Sequence, residues 1–140
     1  MKWGIIPYVG VGDLEFGMAT IAIRNLVAEP FTSFLKTPLS KHPTDNFRTL
    51  GLHVYYDING CCEAFEIGTP GTPSYHDKEI IGQQFSEIKN WFGLLDSNFI
   101  VDTDGITFPK LGMAIYIPSL AKIENPSAEG VLIYRKNYFD

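Results

Sequence analysis

The stretch LHVYYDINGCCEAFEI, at residues 52–67, carries the clearest fold signal in the chain. Apolar and polar side chains alternate on each side of Asn59-Gly60, a pair that is typical of the tight turn of a β-hairpin. If the loop consists of these two residues, Val54 lies opposite Phe65, and both side chains point toward one buried face. Residues 52–67 are therefore predicted to form an antiparallel hairpin.

The same register predicts which residues lie on the opposite, outer face of the hairpin. A loop of three residues would place Val54 opposite Ala64 and Phe65 opposite His53, so burial of apolar side chains favours the two-residue loop. The outer face then carries three cross-strand pairs: His53 with Glu66, Tyr55 with Ala64, and Asp57 with Cys62.

An internal repeat extends the prediction to the rest of the chain. Residues 17–27 align with residues 82–92, and residues 50–56 align with residues 111–117, in the same order and without gaps. The first segment of each half has apolar residues at helical spacing, which predicts one helix in each half: Ile23, Leu26 and Val27 in the first, and Phe85, Ile88, Phe92 and Leu95 in the second.

Two such repeats, at approximately 1–68 and 76–140 with a connector at 69–75, predict a single domain of the α+β class. The repeats are expected to form one antiparallel sheet with the helices packed on one face. Pro30 is predicted to stop the first helix, because its ring clashes with the preceding turn. Asp77 is predicted to cap the second helix or to lie in its first turn, where the unpaired N–H groups favour an acid.

Composition excludes several classes of protein. The chain has 140 residues, is 45% hydrophobic and carries a formal net charge of −5, which suits one globular domain. Its basic residues are scattered, which argues against a nucleic-acid partner. It has no run of about 20 apolar residues that could span a membrane, and glycines and a proline interrupt the N-terminal apolar stretch. These features predict a cytoplasmic protein with no membrane partner.

Residues with catalytic or metal-binding chemistry form no recognisable constellation. The three histidines lack the spacing of a zinc site, and nucleophile motifs are missing. The segment 102–105 begins like a calcium loop but lacks the later oxygen ligands, so it is predicted to be a hairpin turn. His53 beside Glu66 is interpreted as a polar cross-strand pair rather than a catalytic base with its orienting acid. Cys61 and Cys62 are interpreted as reduced thiols, the alternative being a vicinal redox pair. No catalytic residue, metal or cofactor is predicted.

The outer face of the sheet is predicted to bind a protein partner. Tyr116 corresponds to Tyr55 in the aligned repeats, so both are expected on this face, bordered by His53, Asp57 and Glu66. Tyrosine is concentrated in protein interfaces because it buries a large area at little cost in rotamer entropy. The alternative is that both tyrosines serve only strand propensity and packing across the sheet.

The order of the elements resembles a known family. Residues 14–18 read Leu-Glu-Phe-Gly-Met and lead into the first predicted helix, which the hairpin at 52–67 follows. This order is similar to one half-unit of the SmpA/BamE-type lipoprotein domains, which occur in tandem duplicate in the secreted β-lactamase inhibitor proteins. The resemblance implies a non-catalytic protein-binding fold with a concave sheet as its recognition surface. A small acidic cytoplasmic protein of this kind also looks like the immunity proteins that neutralise bacterial toxins.

The sequence thus predicts a non-catalytic protein-binding module, most concretely an immunity or inhibitor protein that neutralises a partner toxin. An alternative is a small-molecule-binding protein or enzyme with a pocket near residues 31–46, a long irregular segment. The chain is expected to be a monomer or a homodimer that pairs through the exposed face.

Overall fold

The structure, a computed structural model, describes residues 3–139. Besides a 3-10 helix at Arg48–Leu50, the chain within this range forms thirteen short strands and two α-helices. In chain order they are β1 (Trp3–Ile6), β2 (Gly10–Val11), β3 (Leu14–Glu15), α1 (Thr20–Val27), β4 (Thr32–Phe34), β5 (Thr44–Phe47), β6 (Leu52–Tyr56), β7 (Cys62–Gly68), β8 (Pro73–Tyr75), β9 (Lys78–Glu79), α2 (Phe85–Gly93), β10 (Ile100–Val101), β11 (Gly105–Phe108), β12 (Met113–Tyr116) and β13 (Gly130–Tyr134).

The strands form two sheets. The larger sheet has eight strands in the order β10-β11-β12-β13-β7-β6-β5-β4, and every neighbouring pair in it is antiparallel. The smaller sheet has the order β3-β2-β1-β8-β9 and pairs β1 with β8 in parallel. One cluster of buried apolar side chains unites both sheets and both helices, and includes Trp3, Ile23, Phe65, Phe92 and Phe108.

The predicted α+β architecture, with one sheet and helices packed on one face, is wrong. The fold is dominated by its two sheets, of five and eight strands, and the helices have only eight and nine residues. The prediction failed because it relied on helical periodicity and on one long hairpin. Strands of two residues, such as Gly10–Val11 and Lys78–Glu79, are too short to show an alternating pattern.

The register predicted for the hairpin is confirmed over four pairs, namely Leu52 with Ile67, His53 with Glu66, Val54 with Phe65, and Tyr55 with Ala64. The predicted two-residue turn is wrong. Gly60 alone in the turn has a positive φ, of 75°, and its N–H donates to the Asp57 carbonyl at 2.9 Å. Tyr56 then pairs with Cys62, so Glu63 is an extra residue that forms a β-bulge.

The turn and the bulge compensate for each other. The three-residue loop shifts the register by one position, and the bulge at Glu63 shifts it back. Apolar residues therefore remain inside along the rest of the hairpin. The predicted pair of Asp57 with Cys62 is replaced by a hydrogen bond from the Asp57 N–H to the Cys61 carbonyl, at 2.8 Å.

The helices occur where periodicity predicts them, but their ends and faces differ in detail. Ile23 and Val27 of α1 are buried, whereas Leu26 is 46% exposed. Asp77 does not cap α2, because it lies in the β8–β9 turn with φ of 61°. The first turn of α2 is capped instead by Asn125, whose Oδ1 accepts the Ser86 N–H at 2.8 Å.

The two halves make matching backbone contacts. The Gly17 N–H donates to the Cys62 carbonyl at 2.8 Å, and the Gly82 N–H donates to the Ala128 carbonyl at 2.8 Å. Both glycines have positive φ, of 93° and 87°. Each half continues from its helix into four antiparallel strands, and the two sets meet through β7 and β13. The two halves therefore share this local geometry, and the duplication itself stays a prediction.

Candidate partner-binding groove

The outer face of the large sheet forms a groove of about 700 Å³, here called the outer groove. Its floor is a continuous row of residues that pair directly across six strands, from β5 to β11. In order, these residues are Asn46, His53, Glu66, Leu132, Ala114 and Thr107.

A second row beside the floor gives the groove its depth. Gly68 pairs with Gly130, Gly130 pairs with Tyr116, and Tyr116 pairs with Gly105. Tyr116 therefore has a glycine on each neighbouring strand, and its ring stands free of cross-strand side chains. It is 52% exposed. Gly105 has to be a glycine, because a Cβ there would lie 2.1 Å from the Ile115 carbonyl oxygen.

Three of the residues predicted to bind a partner lie together in the first half of the sheet. His53 Nδ1 lies 3.5 Å from Glu66 Oε1, and the Tyr55 hydroxyl donates to the same oxygen at 3.3 Å. Burial, with the nearby charge of Glu66, raises the pKa of the Tyr55 hydroxyl. The Lys36 Nζ lies 4.5 Å from the centre of the Tyr55 ring and donates to the Tyr138 hydroxyl at 3.1 Å. Tyr55 is thus half-buried and already carries a cation over its ring.

Tyr55 and Tyr116 lie on the same face, as the repeat predicts, but in different surroundings. His53, Glu66 and Tyr116 line the outer groove, whereas Tyr55 lies beside it. Asp57 is separate, because it lies at the hairpin turn. Its Oδ1 accepts the backbone N–H groups of Asn59 and Cys61, at 2.9 and 3.0 Å.

Charges in the outer groove are mostly negative. The carboxylates of Glu66, Asp102, Asp104 and Glu129 line it together with the guanidinium of Arg48. Asp102 and Asp104 belong to the β10–β11 turn predicted from the sequence, where the Asp104 N–H donates to Asp102 Oδ1 at 2.8 Å. Carboxylates in a concave surface concentrate negative potential, which favours a cationic ligand.

An aromatic cluster covers the same face of the sheet beside Tyr55. The Tyr134 ring stacks on Tyr138 at 5.9 Å and lies edge-on to Phe139 at 4.9 Å and to Tyr8 at 6.1 Å. These residues were not predicted from the sequence. The only local signal was the aromatic-rich C-terminal segment, because the pairing of β13 with β7 joins residues far apart in the sequence.

A smaller cavity of about 360 Å³ lies beside the hairpin turn. It is lined on one side by the predicted pocket segment, including Lys36, Lys41 and His42, and on the other by Glu63 and Arg135. The Arg135 guanidinium lies 3.2 Å from the Glu63 carboxylate.

Within residues 3–139, no group of three or more His, Cys, Asp or Glu side chains is arranged to hold a metal ion. None of the helices in that range has the length and apolar character needed to cross a bilayer. Comparison of the chain with protein-family models, with curated proteins and with solved structures finds no match.

Proposed function

We propose that this protein is a non-catalytic binding module that holds another protein in the outer groove. The observation that carries the proposal is the continuous row of paired residues from Asn46 to Thr107, which no described element covers. A concave sheet with an exposed tyrosine offers the kind of surface on which interfaces place their anchors. Tyr116 is the aromatic anchor of this surface.

The negative charge of the groove favours a partner with a basic surface. Four carboxylates and one guanidinium line it, and the whole chain has a formal net charge of −5. A partner with a basic surface would meet the groove faster than a neutral one, by an amount that decreases with ionic strength. Neutralising a basic toxin is the most concrete form of this function. The resemblance to SmpA/BamE-type domains stays a prediction.

The proposal includes a cytoplasmic location. Its support is that Cys61 and Cys62 are both free thiols, which the reducing cytoplasm maintains.

The test uses a variant that fills the groove. Ala114→Trp places an indole on the floor, and Asn90→Trp adds the same side chain to the exposed surface of α2 as a matched control. Proteins captured from the native host by the wild type and by the Asn90→Trp variant, but lost with Ala114→Trp, are candidate partners. The purified partner should bind Tyr116→Ala about 1–4 kcal/mol more weakly than the wild type.

Two outcomes contradict the proposal. One is a purified partner that binds Ala114→Trp as tightly as the wild type, while circular dichroism shows that the variant is folded. The other is a loss of thermal stability with Tyr116→Ala that accounts for its weaker binding. Growth assays address the narrower immunity proposal, because co-expression of this chain should relieve the toxicity of the captured partner.

A second candidate function is the binding of a small molecule by the cavity beside the hairpin turn. The observation that favours it is the 360 Å³ volume, which lies within the range of roughly 300–1,000 Å³ for small-ligand sites. A thermal-shift screen of metabolites tests this candidate. Stabilisation by a ligand that is lost with Lys41→Ala, and kept with Ala114→Trp, would favour it over the outer groove.

A further inference from the structure

The equivalent tyrosines of the two halves, Tyr55 and Tyr116, have different surroundings. In the first half, the β4–β5 connection at residues 35–43 carries Lys36 onto the ring of Tyr55, with Nζ 4.5 Å from the ring centre. In the second half, the β10–β11 connection consists only of residues 102–104 and bears two carboxylates. Among the described residues, no lysine or arginine lies over the ring of Tyr116.

The surroundings of Tyr116 suit a cation supplied from outside. Its backbone neighbours on the two adjacent strands are Gly105 and Gly130, so the faces of the ring are open to the groove. Asp104 directly precedes Gly105, and Glu129 directly precedes Gly130, so each adjacent strand begins beside a carboxylate. The Glu129 N–H donates to the Tyr116 carbonyl at 2.9 Å, which fixes this residue beside the tyrosine.

We propose that the Tyr116 end of the outer groove is a subsite for a cationic side chain, lysine or arginine, of the bound partner. The cation lies over the Tyr116 ring, as Lys36 lies over Tyr55, and pairs with the carboxylates of Asp104 and Glu129. The carboxylates give the site its charge, and the aromatic face gives it a defined position. The inference rests on the proposed function, because the cation belongs to the partner.

The experiment uses small probes and needs no partner. An acetylated and amidated Gly-Arg-Gly peptide is titrated into the isotope-labelled protein and compared with Gly-citrulline-Gly, which has nearly the same shape without the charge. The backbone amide signals of Gly105, Tyr116 and Gly130 report on the site. Saturable shifts of these signals with the arginine peptide, and none with the citrulline peptide, are expected.

Variants distinguish the ring from the charges. Tyr116→Leu should weaken binding of the arginine peptide roughly fivefold, whereas Tyr116→Phe keeps the aromatic face and the affinity. Combined Asp104→Asn and Glu129→Gln should weaken binding and reduce its dependence on salt. Tyr55→Leu is the matched comparison and should weaken binding less than Tyr116→Leu, because Lys36 already lies over the Tyr55 ring.

The inference is overturned if both peptides shift the same signals, if Tyr116→Leu binds the arginine peptide as well as the wild type, or if Tyr55→Leu weakens binding equally. A partner that is lost with Ala114→Trp while the arginine peptide fails to bind would remove the subsite and leave the proposed function intact. If the arginine peptide binds, but the partner binds Ala114→Trp as tightly as the wild type, the proposed function is contradicted and the cation subsite remains.

Discussion

Arg24 and Asp45 join α1 to β5 through two hydrogen bonds, 2.9 Å from Nε and 2.8 Å from Nη2 to the two carboxylate oxygens. The carboxylate is fully buried and also accepts the hydroxyls of Ser33 and Tyr56, at 2.9 and 2.8 Å. All of its oxygens are therefore satisfied. The equivalent positions in the second half are mostly apolar: Val101 for Ser33, Ile106 for Asp45, Ile117 for Tyr56, and Lys89 for Arg24.

Removing the charge of Asp45 should destabilise the fold. Asp45→Asn leaves the Arg24 guanidinium without its carboxylate, and we expect unfolding in urea to show a loss of about 2–3 kcal/mol. The loss is smaller than that of a fully buried pair because the Arg24 side chain is 31% exposed and can be hydrated.

The second half supplies the matched control. A variant with Arg24→Lys, Ser33→Val, Asp45→Ile and Tyr56→Ile carries the residues of the other repeat, and leaves no buried charge unpaired. It should lose less stability than Asp45→Asn alone, despite four changes. A larger loss would show that the network itself, rather than the unpaired charge, sets the stability of this region.

The Asp45 network should also make stability fall in acid. Burial opposes ionisation of Asp45, but hydrogen bonds from Arg24, Tyr56 and Ser33 outweigh it, so the pKa lies below its usual value. Ionised Asp45 contributes fully to the free energy of unfolding above the pKa of about 4 that it has in the unfolded chain. This contribution is lost as the pH falls through its lower pKa in the folded protein. Urea midpoints measured from about pH 7 to pH 2 should fall more steeply for the wild type than for Asp45→Asn. Parallel curves would contradict this account.

The hairpin shows how far the sequence can predict this fold. Alternation over the strands of Leu52–Tyr56 and Cys62–Gly68 was long enough to predict the register. The turn was mispredicted because Asn59-Gly60 favours a two-residue loop, whereas the Asp57 carboxylate, which accepts two N–H groups, stabilises a three-residue loop. The five-stranded sheet could not be predicted, because its strands have two to four residues and are too short to show an alternation of apolar and polar side chains.

The candidate groove was predictable only in part. The pair of His53 with Glu66 follows from the local register, and Tyr116 follows from the repeat. Leu132 and Ala114 complete the floor only because β13 pairs with β7, an association between segments far apart in the sequence. The open ring of Tyr116 depends on glycines in two other strands, which no single segment reveals.

Alkaline pH should destabilise the fold through Tyr134. Burial, with the nearby Tyr8 and Asp96, raises the pKa of this hydroxyl to about 12. The protonated Tyr134 hydroxyl contributes fully to the free energy of unfolding below the pKa of about 10 that it has in the unfolded chain. This contribution is lost as the pH rises through its higher pKa in the folded protein, because the tyrosine of the unfolded chain ionises first. Tyr134→Phe should show a shallower decline of the urea midpoint above about pH 10 than the wild type. An equal decline would mean that Tyr134 does not contribute to the loss of stability in alkali.

Asp57 should matter for stability and not for partner binding. Asp57→Ala removes the acceptor of two backbone N–H groups, and we expect a loss of about 1–2 kcal/mol in urea unfolding. Asp57→Asn keeps an acceptor oxygen and should lose less. Both variants should bind the partner as the wild type does under conditions where they are folded. Selective loss of binding with Asp57→Ala would place this residue in the interface, as the sequence predicts.

The adjacent cysteines should differ strongly in reactivity. Cys62 is fully buried, and this burial raises the pKa of its thiol, whereas Cys61 is half-buried. Because the thiolate is the reactive form, iodoacetamide should alkylate Cys61 on the order of 100-fold faster than Cys62 in the folded protein. Mass spectrometry of the intact chain should show one adduct before unfolding and two afterwards, with the early adduct absent from Cys61→Ser. Equal rates, or loss of two hydrogens on mild oxidation in place of alkylation, would favour the vicinal redox pair over two independent thiols.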